Sequence, residues 1–200
     1  MYEKEFISSL TPKQLHYLKN ARVGVVGGGV IVELLQRWHF KEIRVLDVVV
    51  QLNHLYMDPF FKKEDVGRFA TYEPLTEDIC IKVSEMPESI DGFKYELRGV
   101  DLVIGFCDQK TVAVAARELG VPFISSGLIT TFLPDGLRFE ETSIPDPIIL
   151  NPSLTSMMRS IQSFEAVKLL TGIGYPLFAP EAIKIDLLNY ELKRVRVGRL

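Results

Sequence analysis

Cysteine, histidine and tryptophan are all scarce in this sequence: two, three and one of them among 200 residues. Two thiols, Cys80 and Cys107, cannot build a four-cysteine zinc site. Both fall in apolar, strand-like runs, so buried free cysteines in a reducing cytoplasm are expected. His16, His39 and His54 share no ligand spacing, which argues against a histidine metal centre. No apolar run approaches the ~20 residues that span a bilayer, and the opening MYEKEFISSL lacks the apolar segment of a secretory signal. Charge excess is missing too: 23 basic and 26 acidic residues leave a net charge of -3, scattered along the chain. There is no basic footprint for nucleic acid. Repeats, linkers and low-complexity tracts are absent. These absences leave one globular domain over residues 1–200, cytoplasmic, with neither a membrane nor a nucleic-acid partner.

What is present alternates. Thr11 followed by Pro12 starts a short helix over 11–20. Arg22 to Val26 is valine-rich, as in a parallel strand covered on both faces. A helical stretch from Val30 to Trp38 precedes the strand EIRVLD. A polar-aromatic connection, QLNHLYMDPFFKKEDVGR, follows, with room for a helical turn. Further strands are predicted over Ile79–Val83, Asp101–Phe106 and VPFISSG, with a helix over Lys110–Leu119 ended by Gly120. ITTFLPDGLRFEE reads as a hairpin turning at Pro134, Asp135 and Gly136. Ser153–Leu170 is the longest helix, closed by Gly172, and AIKIDLLNYELKRVRV is a second hairpin. Strands alternating with helices, then hairpins, predict an α/β fold: a Rossmann-like, mostly parallel sheet with helices on both faces and late antiparallel hairpins.

Gly27, Gly28 and Gly29 lie where the first strand meets its helix. Glycines at 27 and 29 fit the first two of G-x-G-x-x-G, which permit a tight turn and close approach of backbone to phosphate at the helix N-terminus. Val32 holds the third place. Asp47, at the end of the second strand, is 20 residues beyond Gly27, the distance at which an acid can hold a ribose. A plain strand-to-helix turn would account for the glycines alone. The loop by itself separates neither ATP from a dinucleotide nor binding from packing.

Longer stretches do. VVGGGVIVELLQRW followed by IRVLD, then EDVGRFA, then VDLVIGFCDQKTVAVAARELGVPFISSG, then PSLTSMMRSIQSFEAVKLLTGIGYPL resemble, in order, the segments of the E1-like activating enzymes of the ThiF/MoeB/HesA type. The opening YEKEF and LKNARV are similar to that family's start. The resemblance implies the Rossmann-like fold, a homodimer, and ATP-dependent adenylation of a carboxylate. ATP would lie on Gly27, Gly28 and Gly29 with its ribose on Asp47. Asp108, matching the family's acid after the fourth strand, would assist Mg²⁺ and catalysis. Lys4 falls where the family carries an arginine that reaches the partner subunit's site, and lysine keeps the charge without the bidentate fork.

The sequence also departs from that pattern. The family's N-L-x-R-Q box lines up with HLYMD, so its Arg and Gln become Met57 and Asp58. Its lysine after V-G-R becomes Ala70. Lys62 and Lys63 are close enough in sequence to substitute as ATP-binding cations, although a solvated face also accounts for them. Trp38, Phe40, Phe60 and Phe61 read as core or subunit contact. The paired C-x-x-C motifs of sulfur-carrier activators are lacking, and 200 residues leave no room for a catalytic-cysteine domain. The resemblance is therefore to a stripped-down adenylyltransferase. Its expected substrate is a small-molecule carboxylate of cofactor biosynthesis, such as the guanylylpyridinol of [Fe]-hydrogenase, with any thioester formed on an acyl-accepting partner protein. One alternative is adenylation of the C-terminal glycine of a ubiquitin-like sulfur carrier. Another is a non-catalytic E1-like scaffold subunit, as the altered Met57, Asp58 and Ala70 suggest.

Overall fold

The valine-rich run becomes the centre of the sheet. In the computed structural model, which describes residues 10–144 and 151–198, β1 (Arg22–Val26) pairs in parallel with β2 (Glu42–Asp47) on one side. On the other it pairs in parallel with β4 (Leu102–Gly105). β3 (Cys80–Glu85) flanks β2, and β5 (Phe123–Ile124) flanks β4. β6 (Thr131–Phe132) joins β5 antiparallel, so the order is β3-β2-β1-β4-β5-β6. A separate antiparallel ribbon is made by β7 (Glu181–Asp186) and β8 (Glu191–Arg196). This is the mixed, mostly parallel α/β sheet that the alternation of elements predicts.

Period-two alternation along the strands assigns their side chains to two cores. Val23, Val25, Ile43, Val45, Leu102 and Ile104 face one side. Helices α1 (Pro12–Leu18) and α2 (Val30–Arg37) cover it together with the long α6 (Pro152–Thr171). Val26, Leu46, Val103 and Phe123 face the other. There α4 (Ile90–Leu97) and α5 (Gln109–Glu118) pack. The short α3 (His54–Met57) lies in the connection after β2. Thr11 and Gln14 form a reciprocal capping box on α1, and Gly172 ends α6 in the left-handed conformation. Val32, in the third-glycine position, is wholly buried in the first core.

Four expectations change. The turn at Pro134 to Gly136 forms, but no strand returns from it: Phe139–Glu141 is a 3-10 turn, and the antiparallel partner of β6 is β5. Phe139 is the reason, since it is buried edge-on against Phe123 and Phe132 at 5.5 and 5.3 Å. Helix α4 is not foreseen by the sequence reading. Ser89 starts it by accepting from the Gly92 N–H, and only Phe93 and Leu97 of its residues are buried, too sparse a stripe to stand out. Cys80 is exposed on β3 rather than buried, because β3 is an edge strand with little covering it. Cys107 stands half-buried one residue past the β4 end and its neighbour Phe106, at the mouth of a cavity rather than in a strand facing the core. Lys4 lies outside the described residues.

Candidate functional site

Between β1 and β4 the strand order reverses, and a crevice there is the usual ligand site of an open α/β sheet. A cavity of about 410 Å³ opens at that point, over the carboxyl ends of the strands. Gly27 and Gly28 after β1, Asp47 and Val48 at the end of β2, and Cys107 and Asp108 after β4 line it. His54, Met57 and Asp58 close it from the α3 segment, and Arg159 reaches it from α6. Of the residues singled out from the sequence, Gly27, Gly28, Asp47 and Asp108 thus come together. Lys62 and Lys63 do not: both are exposed, and neither lines the cavity. The Lys62 amide donates instead to Asp65, opening a 3-10 turn.

The loop amides are the main surprise. A phosphate-binding glycine loop offers its N–H groups to the ligand. Here they hold the protein's own oxygens. Gly28 N–H donates to Asp47 Oδ2 at 3.2 Å, Gly29 N–H to the Tyr72 hydroxyl at 2.7 Å, and Val30 N–H to both Asp58 oxygens at 3.2 Å. Tyr72 in turn donates to Asp47 Oδ2 at 3.1 Å, and the Val48 amide donates to Asp47 Oδ1 at 2.9 Å. Asp58 also accepts from the Phe60 amide at 2.9 Å. Helix α2 begins at Gly29, which has no side chain to cap it. Asp58 supplies that cap from across the cavity, where a carboxylate meets the positive end of the helix. Asp58 therefore takes up the Val30 amide at the helix terminus, a donor that an anion could otherwise receive.

Burial governs the titration of these groups. Loss of hydration pushes both Asp47 and Asp58 upward from their ordinary 3.8, against the lowering effect of their amide partners and of Arg159. The Tyr72 hydroxyl is raised by burial and by Asp47, so it stays protonated. Cys107 is pushed up to about 11, mainly by burial, so its thiol is no nucleophile at neutral pH. An acid raised on folding binds a proton more tightly in the folded state. Its contribution to stability is full below 3.8 and is lost as pH rises through the folded value. Asp58→Asn keeps an acceptor for Val30 and removes the charge. Its stability relative to wild type should therefore improve as pH rises from about 4 until folded Asp58 has lost its proton, and then level off, in urea unfolding. A difference constant across that range would mean that Asp58 carries no such burden.

Arg159 was not among the residues picked out from sequence. It looks there like one polar position in an amphipathic helix, yet it is the largest fully buried side chain described. Its Nη2 donates to the carbonyls of Gly27 and Gly28 at 2.6 and 3.1 Å, and its guanidinium lies 3.7 Å above the Phe106 ring. Burial lowers it to about 10, with Asp58 the largest opposing influence, so it remains a cation at neutral pH. Tyr72 was missed as well, being one aromatic in a loop. Asp108 adopts a left-handed conformation, φ 46°, at the start of α5. Its carboxylate makes no backbone cap. It accepts from the Thr111 hydroxyl at 2.8 Å and stays exposed at the cavity rim. Among the described residues no group of three or more His, Cys, Asp or Glu side chains could hold a metal ion by itself. An Mg²⁺ here would need oxygens from a bound nucleotide beside Asp108, which suits a cation that keeps water and phosphate ligands.

No family model matches the chain, and a search of curated proteins finds no match. Solved structures do match in fold. E. coli MccB with MccA-N7isoASN superposes with a TM-score of 0.75 at 14% identity, over 93% of this chain and 67% of that one. E. coli MccB with ATP gives 0.70 at 15% identity, over 94% and 66%. A crystal structure of PaaA gives 0.70 at 17% identity, over 94% and 67%. The chain spans about two thirds of the length of these proteins, and what it shares with them at such identities is the fold.

Proposed function

We propose that this chain binds an adenine nucleotide in the cavity between β1 and β4 and adenylates a carboxylate. The observation that carries the reading is the convergence of Asp47 and Asp108, from two strand ends, on one cavity beside the glycine turn. The fold shared with an ATP complex of MccB supports it. In the reaction a carboxylate oxygen attacks the α-phosphorus. The bond from that phosphorus to the bridging oxygen breaks, and pyrophosphate leaves with the electron pair. A carboxylate is already a nucleophile, so no general base is needed. Asp47 positions the ribose through lone pairs left by its three donors. Asp108 would be the residue that holds an Mg²⁺, and the ion would supply charge neutralisation as charge builds on the leaving group. Lys4 of a partner subunit in a homodimer would add a cation. A small-molecule carboxylate is the substrate that the E1-like resemblance suggests, with guanylylpyridinol as the candidate.

Asp58 favours a second reading, a non-catalytic E1-like subunit, because its carboxylate repels a triphosphate at the α2 terminus. Two phosphate-facing cations lost to Met57 and Ala70 forfeit about 1.5–3 kcal/mol for each charged hydrogen bond. Calorimetry with Mg-ATP, then pyrophosphate exchange over a panel of carboxylates, separates the two. Asp47→Ala should weaken ATP and ADP by similar factors. Wild-type protein that ignores millimolar Mg-ATP would leave the non-catalytic reading standing.

A further inference from the structure

Resting on the nucleotide reading above, we propose that Arg159 is the residue that grips the nucleotide's α-phosphate, and that the site thereby selects ligands with a single phosphoryl anion, nucleoside monophosphates and their acyl esters, over triphosphates. Three independent observations carry this. First, the amides that normally hold phosphate at such a loop are taken: Gly28, Gly29 and Val30 donate to Asp47, Tyr72 and Asp58. A phosphoryl group at this turn must find its donors elsewhere. Second, Arg159 has donors to give. It is 1% exposed, it lines the cavity, and its Nε and Nη1 have no hydrogen-bond partner. Two unmatched nitrogens, carrying three N–H donors, on a buried guanidinium are costly unless a ligand completes them. Third, Arg159 is already fixed on the turn. The contacts of Nη2 with the carbonyls of Gly27 and Gly28 at 2.6 and 3.1 Å, and the Phe106 face beneath it, leave the guanidinium little freedom to lose on binding.

Charge then sets the selectivity. Among the described residues Arg159 is the only Lys or Arg side chain that lines the cavity, and Asp47, Asp58 and Asp108 line it too. One cation can offset one phosphoryl group. Without Mg²⁺ the β- and γ-phosphates of ATP would meet the Asp108 carboxylate at the rim, and with or without it Asp58 already stands at the helix terminus that would otherwise receive them. The α-phosphorus is the one common to ATP, AMP and an acyl adenylate, so a grip on it alone keeps hold of the product of adenylation, which lacks the β- and γ-phosphates that the carboxylates oppose.

The test is calorimetry of the full chain with adenosine, AMP and ATP, each with and without Mg²⁺. AMP should bind at least about tenfold more tightly than adenosine, a modest share of what a charged pair yields at a buried site, and ATP no more tightly than AMP. Arg159→Met should erase the gap between AMP and adenosine while adenosine still binds. Because Arg159 braces the loop, that variant can lose the fold, so Asp58→Asn supplies a second arm. Removing the opposing charge should raise ATP affinity more than AMP affinity, and adenosine should be unmoved. Wild-type protein that binds adenosine and AMP equally overturns the role of Arg159 and leaves the nucleotide reading intact. Protein that binds none of the three overturns both.

Discussion

Asp108→Asn should lower carboxylate adenylation by at least about 100-fold, the loss seen when a group aimed at transition-state charge is removed. The substitution is mild in every other respect. Asparagine tolerates the left-handed backbone that Asp108 adopts at φ 46°. Its carbonyl oxygen still accepts from Thr111, now 2.8 Å away. The site is exposed, so no buried packing is disturbed. What disappears is the negative charge that would hold Mg²⁺ on the phosphates. Far-ultraviolet circular dichroism and thermal unfolding should match wild type, while pyrophosphate exchange falls. Cys80→Ser serves as the control and should exchange normally, since Cys80 lies exposed on β3, away from the cavity lining. An Asn variant within about twofold of wild type would remove Asp108 from the chemistry altogether.

Gly29→Ala carries the largest expected loss of stability, about 2–4 kcal/mol. Gly29 sits at φ 88° and ψ -147°, a region essentially confined to glycine, where another residue costs about 1–3 kcal/mol. The added methyl would also overlap the Asp58 carboxylate. Moving that carboxylate away uncaps α2, at about 1 kcal/mol more. The two effects share one contact, so Gly29→Ala combined with Asp58→Ala should destabilise by less than the sum of the single changes. Urea unfolding of the four proteins measures this. Additive effects would show that Asp58 is not seated on the loop in solution. Here the glycine serves the protein's own acid rather than a ligand phosphate, which a fingerprint match alone cannot distinguish.

The layout of the domain was readable from the chain because it rests on local rules. The apolar runs in Arg22–Val26 and Glu42–Asp47, the Thr11 cap and the glycines at 27–29 and 172 each declare a strand, a helix end or a turn. Their order dictates a parallel sheet, and the sheet's reversal dictates where the crevice lies. Asp47 could be named in advance because it closes β2 at the end where ligands gather, whereas Asp108, three residues past β4, was named only through the E1-like resemblance. Elements held by distant packing were not legible. Phe139 turned an expected strand into a 3-10 turn by burying itself against two other rings, and no local pattern records that.

The state of the site was decided by tertiary structure alone. From sequence, Asp58 is an acid where the resemblance asks for a polar box residue, and Arg159 is an ordinary polar position on a long helix. Folding brings Asp58 across 28 residues of chain onto the Val30 amide, and Arg159 across 132 residues onto the carbonyl of Gly27. Both contacts arise because a glycine turn presents bare backbone, donors on one side and acceptors on the other, that must be satisfied once buried. The sequence determined that such a turn exists and where it sits in the sheet. Which groups satisfy it, a ligand's phosphate or the protein's own carboxylate, depends on side chains that converge only after the sheet and its two helical layers have closed.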